Sequence, residues 1–313
     1  MRWLVALGLL ALLLYLTDLR RVGSLLSSAT PWLVMAALGA ALLDRGLMFA
    51  KWYPLLKMQN ASISPGIALR AYLAAGFAGI FLPSSVGGDM LRSVALGRAG
   101  GRVIEIGASV AAERLLGLLS LVLVCCAAVA LGVARTVPMS KAMLGALLGV
   151  LSVTAFLLLV PANASARRRL SALAEKHAHR PGIVLARRFG VAYALYRKRP
   201  LLLGTVGVLS ILEQGFPILV IWLVSQALPH TVGILNLVIA VPLAAFVSRI
   251  PISAAGIGVG EGMLVYLLTL QEIPAAEALA IAILARAVEL GAHAPGALFW
   301  HSLGRGPTAG ATT

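Results

Sequence analysis

Long runs of apolar residues without a single charge constrain the fold of this chain more than any other feature. Residues 115–133 and 142–161 form two such runs. Each is close to the roughly 20 residues that an α-helix needs to cross the hydrocarbon core of a bilayer. Because the backbone in lipid must satisfy its own hydrogen bonds, runs of this length predict helices. The sequence therefore predicts an all-α polytopic membrane protein.

Composition excludes a water-soluble globule and argues against a nucleic-acid-binding protein. Of the 313 residues, 60% are hydrophobic and 12% are charged, whereas a soluble domain is about half apolar and a quarter charged. The net charge is +15, but no aromatic platform or nucleic-acid motif accompanies it. Residues 163–200 hold ten Lys and Arg against one acid, so the positive-inside rule predicts a cytoplasmic loop there. We expect no nucleic-acid partner.

Nine apolar segments are candidate membrane elements. Three of them are short and border clusters of Pro, Ser and Gly, so they are interpreted as broken or re-entrant elements, which gives six to nine membrane segments. The first segment lacks an evident signal-peptide cleavage site and is interpreted as a retained span. The segments are residues 3–17, 31–50, 66–82, 103–133, 142–161, 201–225, 234–249, 257–271 and 277–300.

Two of the Pro/Ser/Gly clusters resemble each other. Residues 82–89 and 250–261 both contain Pro-x-Ser, then glycines, then an acid. We therefore predict a single transmembrane domain made of two structural repeats, residues 1–135 and 136–313. Three full spans plus one re-entrant element in each half would invert the second repeat relative to the first. The distribution of basic residues favours that arrangement, with Arg45, Lys51 and Lys57 assigned to the cytoplasmic side of the membrane.

Seven charged residues fall within apolar segments or at their glycine-rich breaks. Each costs about 3 kcal/mol on the insertion scale if it is left unpaired in lipid, so pairing or hydration is required. Two helical faces carry polar residues at spacings of three and four, namely Glu105, Ser109 and Glu113, and Arg286, Glu289 and His293. They predict a buried ionic network around a polar cavity, and the alternative is polar pairing that only holds helices together. The seven charges are Glu113, Arg114, Glu213, Arg249, Glu261, Arg286 and Glu289.

The two glycine-rich breaks also suggest phosphate binding. Backbone amides at the starts of the helices that follow them are unpaired, and helix N-termini bind anions. The alternative interpretation is a plain re-entrant turn or close helix packing. The glycines concerned are Gly87, Gly88, Gly256 and Gly258.

The sequence contains no motif for catalysis or for a cofactor. No zinc-ligand spacing, nucleophile elbow or phosphate-binding loop is present. Cys125 and Cys126 are adjacent in an apolar run and are interpreted as packing residues. We therefore expect no catalytic residue, no metal and no cofactor.

Three ordered motifs, at residues 77–92, 111–117 and 251–262, resemble the lysylphosphatidylglycerol synthase transmembrane, or flippase-like, family. The resemblance spans nearly the whole chain. It implies a multi-pass bacterial inner-membrane protein that translocates or handles phospholipids and polyprenyl or hopanoid lipids. Larger members add a soluble aminoacyl-transferase domain, and a chain that ends at Thr313 is expected to lack it.

The leading hypothesis is a flippase-like transporter of an anionic lipid, without enzymatic activity. One alternative is a non-transporting accessory subunit that works with lipid-biosynthesis enzymes. The other is a membrane-embedded lipid transferase, for which Asp89 and Glu261 are the only candidate acids. In the leading hypothesis Asp89, Glu113, Glu261 and Glu289 balance charge, and the phosphate is bound by the four glycines named above together with Arg92, Arg114, Arg249 and Arg286.

Overall fold

The computed structural model describes residues 17–59, 63–82, 86–98, 102–134, 199–249 and 258–303, together with six isolated positions. All regular secondary structure in these residues is helical. Most of the predicted first span, the segment 142–161, the basic loop 163–200 and the centres of both Pro/Ser/Gly clusters lie outside the described residues, as does Gly256. The helices are α1 (Leu19–Ser27), α2 (Pro31–Met58), α3 (Pro65–Phe81), α4 (Val86–Gly97), α5 (Val103–Ala134), α6 (Pro200–Glu213), α7 (Gly215–Ala227), α8 (Ile234–Ser248), α9 (Val259–Thr269), α10 (Ala275–His293) and a 3₁₀ helix (Ala294–Leu303).

Three helical stretches are long and apolar enough to cross a membrane: Pro31–Met58, Val103–Gly132 and Pro200–Ala227. The first is α2, the second is most of α5, and the third is α6 together with α7. The predicted all-α polytopic membrane fold is confirmed. Its repeat boundaries and its orientation in the membrane stay predictions.

Prolines define where several of these helices begin. Pro31, Pro65 and Pro200 each occupy the first helical position, where a missing N–H costs nothing because that group has no partner within the helix. Ser64 reinforces the start of α3, since its side chain accepts a hydrogen bond from the N–H of Ile67 at 3.5 Å. These helix starts are therefore encoded locally.

The order of helix lengths occurs twice along the chain. In the first set a long helix (α2) and a medium helix (α3) are followed by a break, a short helix (α4) and a final helix (α5). In the second set the same order is given by α6 with α7, α8, a break, α9 and α10. The two sets interlock, because α2 packs on α7, α5 packs on α8, and α3 packs on the 3₁₀ helix that continues α10. Helices of both sets therefore surround the interior in which the site lies.

Two helices differ in extent or type from the membrane segments predicted for them. The segment predicted to end at residue 50 continues to Met58, and Lys51 is a buried helix residue because Glu213 forms an ion pair with it. The last segment changes from α-helix to 3₁₀ helix after His293, at Pro295, which lacks an N–H for the α-helical pattern.

Small residues let α3 approach its neighbours closely. A Cβ atom on Gly88 of α4 would lie 2.7 Å from the carbonyl oxygen of Ala75 in α3, and one on Gly296 of the 3₁₀ helix would lie 2.1 Å from that of Leu73. Close backbone contact of this kind is the main way in which helices associate in lipid. It fixes α3 between α4 and the 3₁₀ helix, at one side of the cavity described below.

Candidate functional site

The first ionic cluster of the site is built on Asp89, in the first turn of α4. Arg114 of α5 donates two hydrogen bonds to its carboxylate, from Nε to Oδ2 at 2.7 Å and from Nη2 to Oδ1 at 2.9 Å. Nη2 of Arg92 also lies 2.9 Å from Asp89 Oδ1. Paired hydrogen bonds between a guanidinium and a carboxylate are among the strongest in proteins, so Asp89 holds α4 against α5.

Arg92 is the buried centre of this cluster, with 2% of its side chain exposed. Its Nη2 donates to Glu113 Oε2 at 2.6 Å. The guanidinium carbon lies 4.5 Å from the centre of the Trp52 ring and 5.3 Å from that of Tyr72, in the range of cation–π attraction. Two carboxylates and two aromatic rings therefore fix Arg92 in place.

A second cluster stands in the other half of the chain. Arg286 of α10 donates from Nε to Glu261 Oε1 at 2.5 Å and from Nη1 to Glu289 Oε2 at 2.8 Å. In each cluster an acid in the first turn of a short helix, α4 or α9, pairs with an arginine of the next helix. The acid and the arginine are 25 positions apart in the sequence in each case. The Pro-Ser-Gly resemblance predicted from the sequence therefore extends to the ion pairs.

One of the predicted glycines does not offer a free amide as expected. The N–H of Gly258 donates to Glu261 Oε2 at 2.8 Å, and Gly258, which precedes α9, has a positive φ of 81°. Gly87 contacts the side chain of Leu82, and Gly88 contacts the backbone of α3. For these residues the geometry favours the alternative of capping and close helix packing.

Three charged residues of α2 lie in or beside the site although they were not among the predicted site residues: Asp44 and Arg45 line the cavity, and Lys51 binds Glu213 of its wall. Lys51 forms a buried ion pair with Glu213 and also lies 3.4 Å from Ser210 Oγ. Asp44 and Arg45 pair with each other through Oδ2 and Nη2 at 2.6 Å. Asp44 and Arg45 could have been identified as site residues from their position inside the apolar segment 31–50, where charged residues are energetically costly.

These clusters enclose a cavity of two adjoining chambers, of about 340 Å³ and 400 Å³. The first chamber lies between α2, α7, α8 and α10, and the second between α2, α3, α4 and α10. Among the described residues, five arginines and five acids line the two chambers together. We call the wall shared by both chambers the junction, and its residues are Arg45, Met48, Arg114, Arg286, Glu289 and Ala292.

Most of the predicted charged residues meet at this cavity. Arg114, Arg286 and Glu289 belong to the junction, whereas Arg92 and Asp89 line the second chamber only. Arg249 and Glu261 line the first chamber only. Glu113 lines neither chamber.

One of the two predicted polar helix faces lines the cavity and the other does not. Arg286, Glu289 and His293 all line the second chamber. Ser109 instead accepts a hydrogen bond from Trp52 Nε1 at 3.0 Å, and Glu113 binds Arg92 without lining either chamber. The face that carries Ser109 and Glu113 is therefore a packing face between helices.

Arg249 differs from the other arginines of the cavity. It follows the last residue of α8, is exposed, and lines the first chamber beside Arg114 and Glu213. Within the part of the chain that the structure describes, it forms no ion pair and no hydrogen bond through its side chain. Its charge is thus available to a ligand that enters this chamber.

Comparison with known families agrees with this picture of a charged cavity inside apolar helices. The family described as Lysylphosphatidylglycerol synthase TM region matches residues 2–295. The chain belongs to this family. Membership gives it a membrane location and a role related to membrane lipids. Searches of curated proteins and of solved structures returned no match.

Proposed function

We propose that this member of the family is a flippase-like transporter that binds an anionic phospholipid, or a polyprenyl or hopanoid-type lipid, and moves it across the bacterial inner membrane. The observation that carries the proposal is the junction, where Arg45, Arg114 and Arg286 meet within helices of both halves. An arginine inside a membrane costs about 3 kcal/mol. The free-energy cost of a cluster of three arginines is lower if the cluster binds an anionic ligand.

Free binding capacity in the first chamber supports this function. Arg249 has no ion pair among the described residues, and a guanidinium is well suited to bind phosphate oxygens in pairs. Arg45 has one carboxylate partner, the adjacent Asp44. A phosphate in the first chamber would therefore meet one guanidinium without a carboxylate partner among the described residues and one with a single partner.

The wall of the second chamber suits the apolar part of a lipid. Leu73, Ile80 and Leu290 line it together with Tyr72. Apolar chains are transferred from lipid to such a wall at little cost, because both are hydrocarbon. In the proposed mode of binding the head group occupies the junction and its first carbons contact these residues. No covalent step is involved, so the protein acts as a transporter and not as an enzyme.

Reconstitution with a fluorescent lipid tests the proposal. Purified protein is placed in vesicles that contain NBD-labelled phosphatidylglycerol, and dithionite quenches the label in the outer leaflet. Protein-free vesicles lose only that outer fraction, whereas transport exposes the remaining label. We expect the full-length protein to raise the quenched fraction, and absence of movement for phosphatidylglycerol and for a labelled polyprenyl phosphate would contradict the proposal.

A matched pair of arginine variants makes the test specific to the cavity. Arg249→Gln removes a charge from the first chamber without leaving a described carboxylate unpaired, so its fold should be retained. Loss of a hydrogen bond to a charged group is worth about 1.5–3 kcal/mol, which predicts an initial rate lower by about tenfold or more. Arg70→Gln is the control, because Arg70 is exposed on α3 and does not line either chamber. Lipid binding without movement would instead favour the accessory subunit.

A further inference from the structure

The pair formed by Asp44 and Arg45 is unlike the other ion pairs of the cavity. The two residues are adjacent near the middle of α2, and a single hydrogen bond of 2.6 Å joins Arg45 Nη2 to Asp44 Oδ2. Neighbouring side chains on a helix point about 100° apart, so this contact requires Arg45 to fold back along its own helix. The side chain of Arg45 is 24% exposed and belongs to the junction.

The hydrogen bonding of this pair is incomplete. Asp44 is buried, with 4% of its surface exposed, and its Oδ1 has no hydrogen-bond partner among the described residues. Arg45 Nε is also without a partner in the described part of the chain. A buried carboxylate with an unsatisfied oxygen is costly as an anion. Arg45 is therefore the main group that keeps Asp44 charged.

The other charged groups that face Asp44 across the chamber are largely committed to partners of their own. Glu213 neutralises Lys51, Asp89 binds Arg114, and Arg286 is shared between two acids. None of them forms an ion pair with Asp44 among the described residues. The charged groups of this chamber and of the adjoining helices are Lys51 on α2, Arg114 on α5, Glu213 on α6, Arg249 after α8, Glu261 on α9, and Arg286 and Glu289 on α10.

We infer that Asp44 binds a proton when Arg45 leaves it to bind the phosphate of a lipid head group, so that the protein binds lipid and proton together. The inference rests on the proposed function. The proton comes from the buffered solution and adds to the carboxylate of Asp44, and no covalent bond of the lipid changes. One negative charge and one proton enter the site together, so the step adds no net charge to the membrane interior.

Arg45 is the arginine best placed for this exchange of partners. Arg92 and Arg286 each contact two carboxylates, and Arg114 binds Asp89 through two hydrogen bonds. Arg249 has no carboxylate to release. Arg45 has a single, local hydrogen bond and opens onto both chambers. Because binding equilibria are reciprocal, lipid affinity must then rise as the pH falls through the range in which Asp44 of the free protein is still charged.

Isothermal titration calorimetry measures this linkage directly. The full-length protein in nanodiscs is titrated with dihexanoyl phosphatidylglycerol near neutral pH, in two buffers with different ionisation enthalpies. The difference between the two heats gives the number of protons bound with the lipid. We expect an uptake approaching about one proton and a wild-type affinity that falls by up to about tenfold for each unit rise in pH.

Two carboxamide variants assign the proton. Asp44→Asn should abolish the uptake and the pH dependence, and it should bind lipid at neutral pH more tightly than the wild type, because the amide stands in for the protonated acid. Asp18→Asn removes an exposed carboxylate at the start of α1 that lines neither chamber, and it should leave the uptake unchanged. Undiminished uptake in Asp44→Asn would overturn the inference.

Two further results separate this inference from the proposed function. Binding of phosphatidylglycerol by the wild type without proton uptake overturns the linkage alone. Absence of binding for both phosphatidylglycerol and geranyl phosphate overturns the proposed function, and the linkage with it. Should Asp44→Asn fail to fold, the infrared difference spectrum of the wild type replaces it. Lipid binding must produce the carbonyl band of a protonated carboxylic acid, and that band must shift in Asp44→Glu.

Discussion

The ion pair of Lys51 and Glu213 shows how single residues determine the interior of this protein. Only 2% of the Lys51 side chain is exposed, and its ammonium reaches across from α2 to the last residue of α6. Removing one partner of a buried ion pair leaves the other charge unpaired, which costs far more than the pair itself contributes. The pair therefore connects the two halves of the chain and is sensitive to single substitutions.

Lys51→Met should lower the free energy of unfolding by about 3–5 kcal/mol, because Glu213 would stay buried without a partner. Thermal melting in mild detergent and equilibrium unfolding in SDS both measure the effect. Replacing both partners, as in Lys51→Met with Glu213→Leu, should recover most of the loss. The control is Lys57→Met, an exposed lysine of the same helix, which should change stability by less than about 0.5 kcal/mol. A double variant as unstable as the single one would contradict this account.

Individual site residues were predictable from the sequence where a charge interrupts an apolar run. Arg114, Arg286 and Glu289 were found in this way, because the cost of charge in lipid applies whatever the fold. The sequence could not separate Arg92, which is enclosed by carboxylates and rings, from Arg249, which is open to the cavity. That difference depends on Trp52 and Tyr72 of other helices, and no local pattern encodes it.

At the scale of helices, the long apolar stretches were predictable from the sequence, whereas some helix ends and the close backbone contacts were not. Hydropathy and initiating prolines predicted α2, α5 and the α6–α7 pair well, and the ends of α2 and α10 poorly. The end of α2 depends on the partner of Lys51, which is 162 residues away in the sequence. The glycines of α4 were assigned to phosphate, whereas Gly88 packs against Ala75 of α3. Sequence alone gives both uses of glycine the same pattern.

Gly88→Ala should destabilise the packing of α3 against α4. The new methyl group would lie 2.7 Å from the carbonyl oxygen of Ala75, and overpacking of this kind costs about 1–3 kcal/mol. Gly107→Ala in α5 is the matched control, because nothing lies within 4 Å of its added Cβ. A lower melting temperature is expected for the first variant only. Equal melting temperatures for the two variants would show that the close contact is unimportant.

At the scale of the whole molecule, the break between α3 and α4 determines how many times the chain crosses the membrane. The first half has a pair of shorter helices, α3 and α4, between two that are long enough to span, and a re-entrant pair returns the chain to the side from which it came. Opposite orientation of the two halves follows only if this pair is re-entrant. Orientation is therefore the property of the molecule that most needs an experiment.

Reporter fusions after Lys57 and after Arg98 should fall on the same side of the membrane. Alkaline phosphatase is active only outside the cytoplasm and green fluorescent protein fluoresces in the cytoplasm, so paired fusions assign each position. We expect both positions to be cytoplasmic, in line with the excess of arginine around them. Opposite sides would mean that α3 and α4 together cross the membrane once, and the inverted arrangement would then be wrong.

The equal spacing of the two acid–arginine pairs has a consequence for how such a protein can arise. Each pair closes within its own half, between Asp89 and Arg114 and between Glu261 and Arg286. A shorter ancestor with one pair would have needed no second chain to neutralise it, and duplication followed by fusion would supply both walls of the cavity at once. In such a history, contacts between the halves, such as the ion pair of Lys51 with Glu213, would form only after fusion.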